Sequence, residues 1–293
     1  MEERRKPVLG RVVPGVSPDI QRRLRQFFAL TQGLSPRLAG LLAFRMFLTP
    51  PRRAIDALDA EVVSQAKKST LRFGPEEFTL WKWDHGGPTV VLLHGWGSRA
   101  SRFGHFVAPL RAAGFTVIGI DAPAHGDSRG RTADLPRFRE SLAQVLRIQQ
   151  PIYAVIGHSL GGGAVLTVLA ETADHHPQKI CLFGVPGDMD YILESFAMML
   201  GLKPPALANL RARFTAKFGR AANEISVTAA APSVRVPVLV VHDEDDNVAP
   251  FAQGAALAAA IPGARLLVTR GFGHSGALRD AATIERVVAF LKE

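Results

Sequence analysis

The chain predicts an α/β fold: a mostly parallel central sheet with helices on both faces. Three observations predict it. From residue 69 onward, short strand-like runs alternate with helix-like stretches. Several of those runs are apolar throughout, as strands buried on both faces are. The stretches between them are long enough to carry the crossover helices that parallel strands require. With 293 residues and 47% hydrophobic composition, the chain can bury one large core and still carry an extension or an insertion.

The first 68 residues read as a helical N-terminal extension. A helix is expected over 19–32, with Ile20, Leu24, Phe27 and Phe28 on one face. A second starts at Ser35-Pro36, an N-cap followed by proline at the first helical position, and ends before Pro50-Pro51. A third covers about 53–67. The core begins at 69 and its first part runs to 184. Strands are expected at 70–73, 78–83, 89–94, 116–120, 152–156 and 179–183, with helices at 102–112, 137–149 and 162–172. The first two strands have no helix between them, which predicts an antiparallel edge hairpin. Residues 185–235 separate two strands by far more than an ordinary connection. Helical patterns at 188–200 and 205–218 make this segment an inserted cap over the carboxyl ends of the strands. The core resumes over 236–293, with strands at 238–241 and 265–268 and helices at 251–260 and 281–291.

The charge is uneven. Residues 1–75 hold 14 Lys/Arg against 6 Asp/Glu, a balance of +8, whereas residues 76–293 hold 21 against 20, a balance of +1. A nucleic-acid enzyme carries its positive charge along the substrate groove. Here the charge sits in the extension, and neither a basic motif interleaved with aromatics nor a zinc-finger spacing is present, so nucleic acid is not an expected partner. The N-terminal helices read as a cover for the main domain, or as a basic amphipathic arm against an anionic membrane surface or a partner. The sequence leaves the oligomeric state open. The longest apolar candidate for a membrane span, 34–48, is interrupted by Arg37 and Arg45. Acidic Glu2 and Glu3 argue against a transit peptide. A single cysteine, Cys181, allows no intrachain disulfide and reads as a small buried hydrophobe on a strand. A soluble, cytoplasmic protein is expected.

The chemistry centres on Gly157-His158-Ser159-Leu160-Gly161. An apolar run leads into it and a small-residue, helix-prone run leads out, so Ser159 stands between a strand and a helix on a sharp turn. A serine hydroxyl is a poor nucleophile until a base takes its proton, and histidine, with a pKa near neutrality, serves best. Nine histidines compete for that role. His94, His158 and His242 lie at strand ends or in turns and suit structural hydrogen bonds. His175-His176 sits in a polar turn and is expected to be solvated. His85 and His105 have no chemical neighbours in sequence. Only His274 follows the last expected strand within a glycine-rich loop, Gly271-Phe272-Gly273-His274-Ser275-Gly276. The base in turn needs a carboxylate to fix its tautomer. Asp243, Glu244, Asp245 and Asp246 crowd one loop, and the spacing alone does not choose among them. They also read as a solvated turn rather than a metal site.

These motifs, in this order, resemble a serine hydrolase of the α/β-hydrolase superfamily over about residues 76–293. Gly157 to Gly161 resembles the nucleophile elbow, and His94-Gly95-Trp96-Gly97 the oxyanion loop. Asp121-Ala122-Pro123-Ala124-His125-Gly126-Asp127-Ser128 resembles the Asp-x-x-Gly-His-Gly-x-Ser loop, with Ala124 in place of glycine, and His125 is structural in that loop. The run from His242 to Pro250 resembles the acid-bearing loop, with Asp243 in place of glycine. The resemblance implies Ser159 as nucleophile, His274 as base and Asp246 as acid, with Asp245 as the alternative acid. It places the oxyanion donors on the main-chain N–H groups of Trp96 and Leu160. Trp96, Met198 and Met199 are candidates for contact with an apolar acyl group. The implied reaction is hydrolysis of a small-molecule ester through an acyl-serine, with no metal and no cofactor. A thioesterase, lactonase, amidase, carbon–carbon bond hydrolase or acyltransferase would use the same three groups. A ligand-binding protein on this fold would not need them.

Overall fold

The computed structural model describes residues 17–52, 54–149, 151–171 and 176–293. Expectations for residues 1–16, for Arg53 at the start of the third helix, for Thr172 at a helix end and for His175 fall outside the described residues.

Helix α1 (Pro18–Leu34) is capped by Ser17, whose hydroxyl accepts the Ile20 N–H at 3.3 Å. Ser35 caps α2 (Pro36–Leu48) in the same way, through the Leu38 N–H at 3.2 Å. Helix α3 (Ala57–Ser64) is shorter than expected. It starts at Asp56, whose carboxylate accepts the Asp59 N–H, and Lys67 already belongs to β1 (Lys67–Phe73). The reason is pairing: Lys67 and Lys68 stand opposite Lys82 and Trp81 of β2 (Glu76–Trp83), so the hairpin claims residues that could also extend the helix.

Next come β3 (Thr89–Leu93), α4 (Gly104–Ala112), β4 (Thr116–Asp121), α5 (Leu135–Ile148), β5 (Ile152–His158), α6 (Leu160–Glu171) and β6 (Lys179–Phe183). Helices α7 (Met189–Leu200) and α8 (Pro204–Phe218) follow, then β7 (Val238–Asp243), α9 (Phe251–Ala260), β8 (Arg265–Thr269), the short α10 (Gly273–Gly276) and α11 (Ala281–Lys292). The strands form one sheet in the order β1-β2-β4-β3-β5-β6-β7-β8. The β1–β2 and β2–β4 pairs are antiparallel, and the remaining pairs are parallel. The expected edge hairpin is therefore present. The order reverses at β3: the chain leaves it for β4 on one side and returns to β5 on the other. In open α/β sheets such a reversal opens a crevice at the carboxyl ends of the strands.

The period-2 alternation of strand side chains builds two cores. Val91, Leu93 and Val155 point to one face and pack with Phe138, Leu142 and Leu166. Val90, Leu92, Ala154 and Ile156 point to the other and pack with Phe103, Phe106, Val287 and Phe290.

Contacts divide the chain into two units. The sheet unit is Thr49–Gly187 with Val227–Glu293. The helical unit joins α1 and α2 to Asp188–Ser226, which carries α7 and α8. Its own core contains Phe28, Ala43, Leu193, Leu200, Leu210 and Phe214. The sequence predicts an extension at 1–68 separate from an insertion at 185–235. The contacts instead join the first two helices of the extension to the inserted ones and leave α3 with the sheet, where Trp83 Nε1 donates to Val62 O at 2.8 Å. The face of α1 also differs from expectation. Phe28 is buried, but Ile20 and Phe27 are about half exposed. Gln32 takes the inner face instead: its amide donates to Gly201 O at 3.0 Å and accepts the Lys203 N–H at 2.8 Å. The insertion leaves and rejoins the sheet unit at one point, where Gly187 O accepts the Val227 N–H at 3.2 Å. Among the described residues no helix is long and apolar enough to cross a membrane.

Candidate active site

Ser159 occupies the turn between β5 and α6 with a φ of 51°, a left-handed conformation rare for any residue but glycine. The turn is held by its main chain: Ser159 donates to Phe183 O at 2.8 Å and accepts from the Gly163 N–H at 3.0 Å. Gly161 permits it, because a Cβ there would lie 2.3 Å from Leu93 O. Gly95 permits the next approach, because a Cβ there would lie 2.9 Å from Ser159 Cβ. The loop after β3 thus packs directly on the serine. Leu160 is the first residue of α6, so its N–H has no intrahelical acceptor.

Two buried histidines set that loop. The Ala122 N–H donates to His94 Nε2 at 3.2 Å, which leaves the His94 proton on Nδ1, facing Gly95 O at 2.7 Å. Because the 95–96 peptide is planar and trans, anchoring Gly95 O aims the Trp96 N–H in the opposite direction. His125 works in the same way: its Nε2 accepts the Gly97 N–H at 2.9 Å and its Nδ1 faces Pro123 O at 3.0 Å. Accepting a hydrogen bond requires a neutral ring. Burial lowers the His94 pKa from 6.5 to about 4 and the His125 pKa from 6.5 to about 3. The loop bearing His125 is itself fixed by Asp121, which accepts from the Ala100 N–H at 2.7 Å, the Asp127 N–H at 2.9 Å and Trp81 Nε1 at 2.9 Å. Ala124, standing where the family pattern has glycine, keeps the glycine-like conformation at a φ of 66°.

The loops bearing Asp246 and His274 follow β7 and β8. Asp246 Oδ2 and His274 Nδ1 are 2.8 Å apart. The other Asp246 oxygen accepts the Val248 N–H at 2.8 Å and the Ala249 N–H at 2.9 Å. Burial pushes the Asp246 carboxyl up, but the His274 ring and these two N–H groups outweigh it and hold the pKa below the usual value. Asp245 turns elsewhere, accepting the Gly271 N–H at 2.9 Å. His158 joins His274 to the serine turn: its Nε2 lies 2.9 Å from His274 O, and the two rings are 4.8 Å apart. Burial, with the nearby His274, lowers the His158 pKa to about 3.

Asp243 is buried and binds both loops. One of its oxygens accepts the Asp245 N–H at 3.0 Å and the Gly273 N–H at 3.0 Å. The other accepts the Thr269 hydroxyl at 2.8 Å and the Phe272 N–H at 3.2 Å.

Residues 90–287 match the family model described as "Alpha/beta hydrolase family". The chain belongs to the alpha/beta hydrolase family.

Its relatives within that family vary in activity. Over 96 residues, 32% of this chain and 34% of the relative, it is 40% identical to a pimeloyl-[acyl-carrier protein] methyl ester esterase of Chromobacterium violaceum, so that match spans about a third of the esterase. It is 27% identical to a monoacylglycerol lipase of Mycolicibacterium smegmatis, over 62% of this chain and 74% of the lipase. It is 24% identical to a 2-hydroxy-6-oxononadienedioate/2-hydroxy-6-oxononatrienedioate hydrolase of Cupriavidus pinatubonensis, over 75% of this chain and 92% of that one. Among solved structures, an esterase of Pyrococcus furiosus superposes with a TM-score of 0.64 at 19% identity, covering 84% of this chain and 98% of that one. At that identity the likeness is one of fold.

The alpha/beta hydrolase pattern accounts for how the sequence-predicted residues lie. Ser159, Leu160, Trp96, Asp246 and His274 all follow the carboxyl ends of strands in one sheet. The Trp96 side chain is 37% exposed, with its ring 5.6 Å from that of His125. Met198 and Met199 belong to the helical unit, where Met199 is buried in that unit's core. The sequence reading missed Asp243 as an organising residue. Its departure from the family's glycine was the available signal, but nothing in the sequence said which N–H groups the carboxylate would meet.

Proposed function

We propose that this alpha/beta hydrolase is a serine hydrolase that cleaves carboxylic esters of apolar acyl groups. The observation that carries the reading is the 2.8 Å contact between Asp246 Oδ2 and His274 Nδ1. That contact keeps the imidazole proton on Nδ1 and leaves the Nε2 lone pair as the base. As Ser159 Oγ attacks the ester carbonyl, its proton passes to His274 Nε2, and Asp246 stabilises the imidazolium. The main-chain N–H groups of Trp96 and Leu160 receive the developing oxyanion. His274 then gives the proton to the leaving alcohol, and an acyl-serine remains. Water enters, loses its proton to the same nitrogen, and frees the acid. The Trp96 side chain lines the acyl side, and no metal or cofactor takes part in any step.

The esterase and lipase relatives support the ester as substrate. A second reading, carbon–carbon bond hydrolysis with the same residues, draws on the relative that the chain covers over 92% of its length. A fluorophosphonate probe tests the nucleophile: the protein is expected to be labelled, and Ser159→Ala is expected not to be. Equal labelling of both, or none of the wild type, overturns the proposal. Chromogenic esters of increasing chain length, assayed beside a vinylogous 1,5-diketone, decide between the two readings.

A further inference from the structure

Helix α1 carries an apolar face that the chemistry above does not use. Ile20 is 53% exposed, Phe27 50%, Leu30 73% and Leu34 86%. At 100° per residue the four fall in one stripe about 80° wide. Arg23 lies inside that stripe, between Ile20 and Phe27, and is exposed, whereas Arg22 lies well off it and donates to Asp19 Oδ1 at 2.5 Å. The helix is held from its other side. Phe28 is buried in the helical unit, and the Arg25 guanidinium donates to Met198 O and Met199 O, each at 3.1 Å. The stripe is therefore presented on a helix that is already anchored. Exposed Arg37 and Leu38 follow at the start of α2. Over residues 17–48 the sequence has one acidic residue, Asp19, against Arg22, Arg23, Arg25, Arg37 and Arg45.

We propose that the exposed face of α1 docks on an anionic lipid bilayer, with the helix lying in the plane of the interface. Two features select this occupant. A second copy of the chain would bury the Arg23 guanidinium of each stripe against an apolar face, with no acidic residue inside the stripe to pair it. An apolar groove on a protein would bury Arg23 without a counter-charge, which is strongly unfavourable. A bilayer surface satisfies both requirements. The leucines and Phe27 enter the acyl boundary, while the long arginine side chains reach back to the headgroup phosphates. Spanning does not fit: the helix has 17 residues, about 25 Å against a hydrocarbon core of about 30 Å, and it carries Arg22, Arg23 and Arg25. The inference does not depend on the serine chemistry.

Co-sedimentation of the full chain with vesicles tests it. Vesicles of phosphatidylcholine with about a third phosphatidylglycerol are compared with phosphatidylcholine alone. Binding to the anionic vesicles is expected to be at least ~10-fold stronger and to fall in about 0.5 M salt. The double variant Leu30→Asp, Leu34→Asp is expected to lose at least ~10-fold in binding while its circular dichroism and its hydrolysis of a soluble ester stay at wild-type level. Absence of binding to the anionic vesicles overturns the proposal. So does binding of the double variant equal to wild type. A dimer by light scattering that the double variant abolishes, with no vesicle binding, assigns the face to a second copy and likewise overturns it.

Discussion

The Asp243 carboxylate accepts the Gly273 N–H at 3.0 Å, next to His274 in sequence. The same carboxylate accepts the Asp245 N–H, next to Asp246. A single side chain therefore sets the spacing between the proposed acid and the proposed base. Replacing Asp243 with glycine, as in the family pattern, removes the acceptor for the Phe272, Gly273 and Asp245 N–H groups. The expected cost is about 2–3 kcal/mol of stability, with kcat reduced ~10- to 100-fold and KM changed far less. Asp243→Asn keeps the shape and one acceptor oxygen, so it is expected to fall between the two. Steady-state kinetics well below the melting temperature check this. A glycine variant with wild-type kcat would show that the loops hold their spacing without the carboxylate.

His94 acts on the proposed oxyanion donor through a neighbouring peptide rather than by contact with substrate. Its Nδ1 anchors Gly95 O at 2.7 Å, and the rigid peptide aims the Trp96 N–H. His94→Ala leaves Gly95 O held only by the longer contact from the Ser98 N–H at 3.3 Å. A loss of about 10- to 100-fold in kcat is expected, with KM nearly unchanged, because the donor acts on charge that develops only in the transition state. His94→Asn can place an amide N–H near the same carbonyl and is expected to recover part of the loss. If both variants lose the same activity in parallel with their melting temperature, His94 is structural only.

Acid stability follows from the buried neutral histidines. His94 has a folded pKa of about 4, and His125 and His158 of about 3, all below the ordinary 6.5. The unfolded chain therefore binds the protons first. Stability is intact above pH 6.5 and declines as the pH falls toward 4, by up to about 1.4 kcal/mol per histidine per pH unit. Asp246 adds to the loss only in stronger acid, because its pKa is held below the ordinary carboxylate value. Thermal melts between pH 7 and pH 4.5 should show a steadily falling midpoint. His125→Gln should flatten that slope, and a slope identical to wild type would contradict the assigned neutrality.

Much of this architecture was legible because burial on both faces writes strands as apolar runs. The predicted 179–183 strand and 251–260 helix match β6 and α9 residue for residue. The elbow was legible because a left-handed serine flanked by close backbone contacts demands glycines at fixed spacing. Tertiary choices were less visible. Lys67 and Lys68 entered β1 because β2 lies opposite them, which no local pattern encodes. Phe27 reads as a core residue by periodicity, yet Gln32 took the inner face of α1 through two main-chain partners at Gly201 and Lys203, far along the chain. Asp243 looked like one acid among four, since its role depends on N–H groups contributed by a loop that follows a different strand.

The hydrogen bond between Gly187 O and the Val227 N–H bears on how such a protein diversifies. A segment that departs and returns through one closed junction leaves the spacing of β6 and β7 independent of its own length. Residues 188–226 share one core with α1 and α2, so a change of length in the inserted helices has to be matched by those two N-terminal helices and not by the strands. The sheet that carries Ser159, Asp246 and His274 keeps its register throughout.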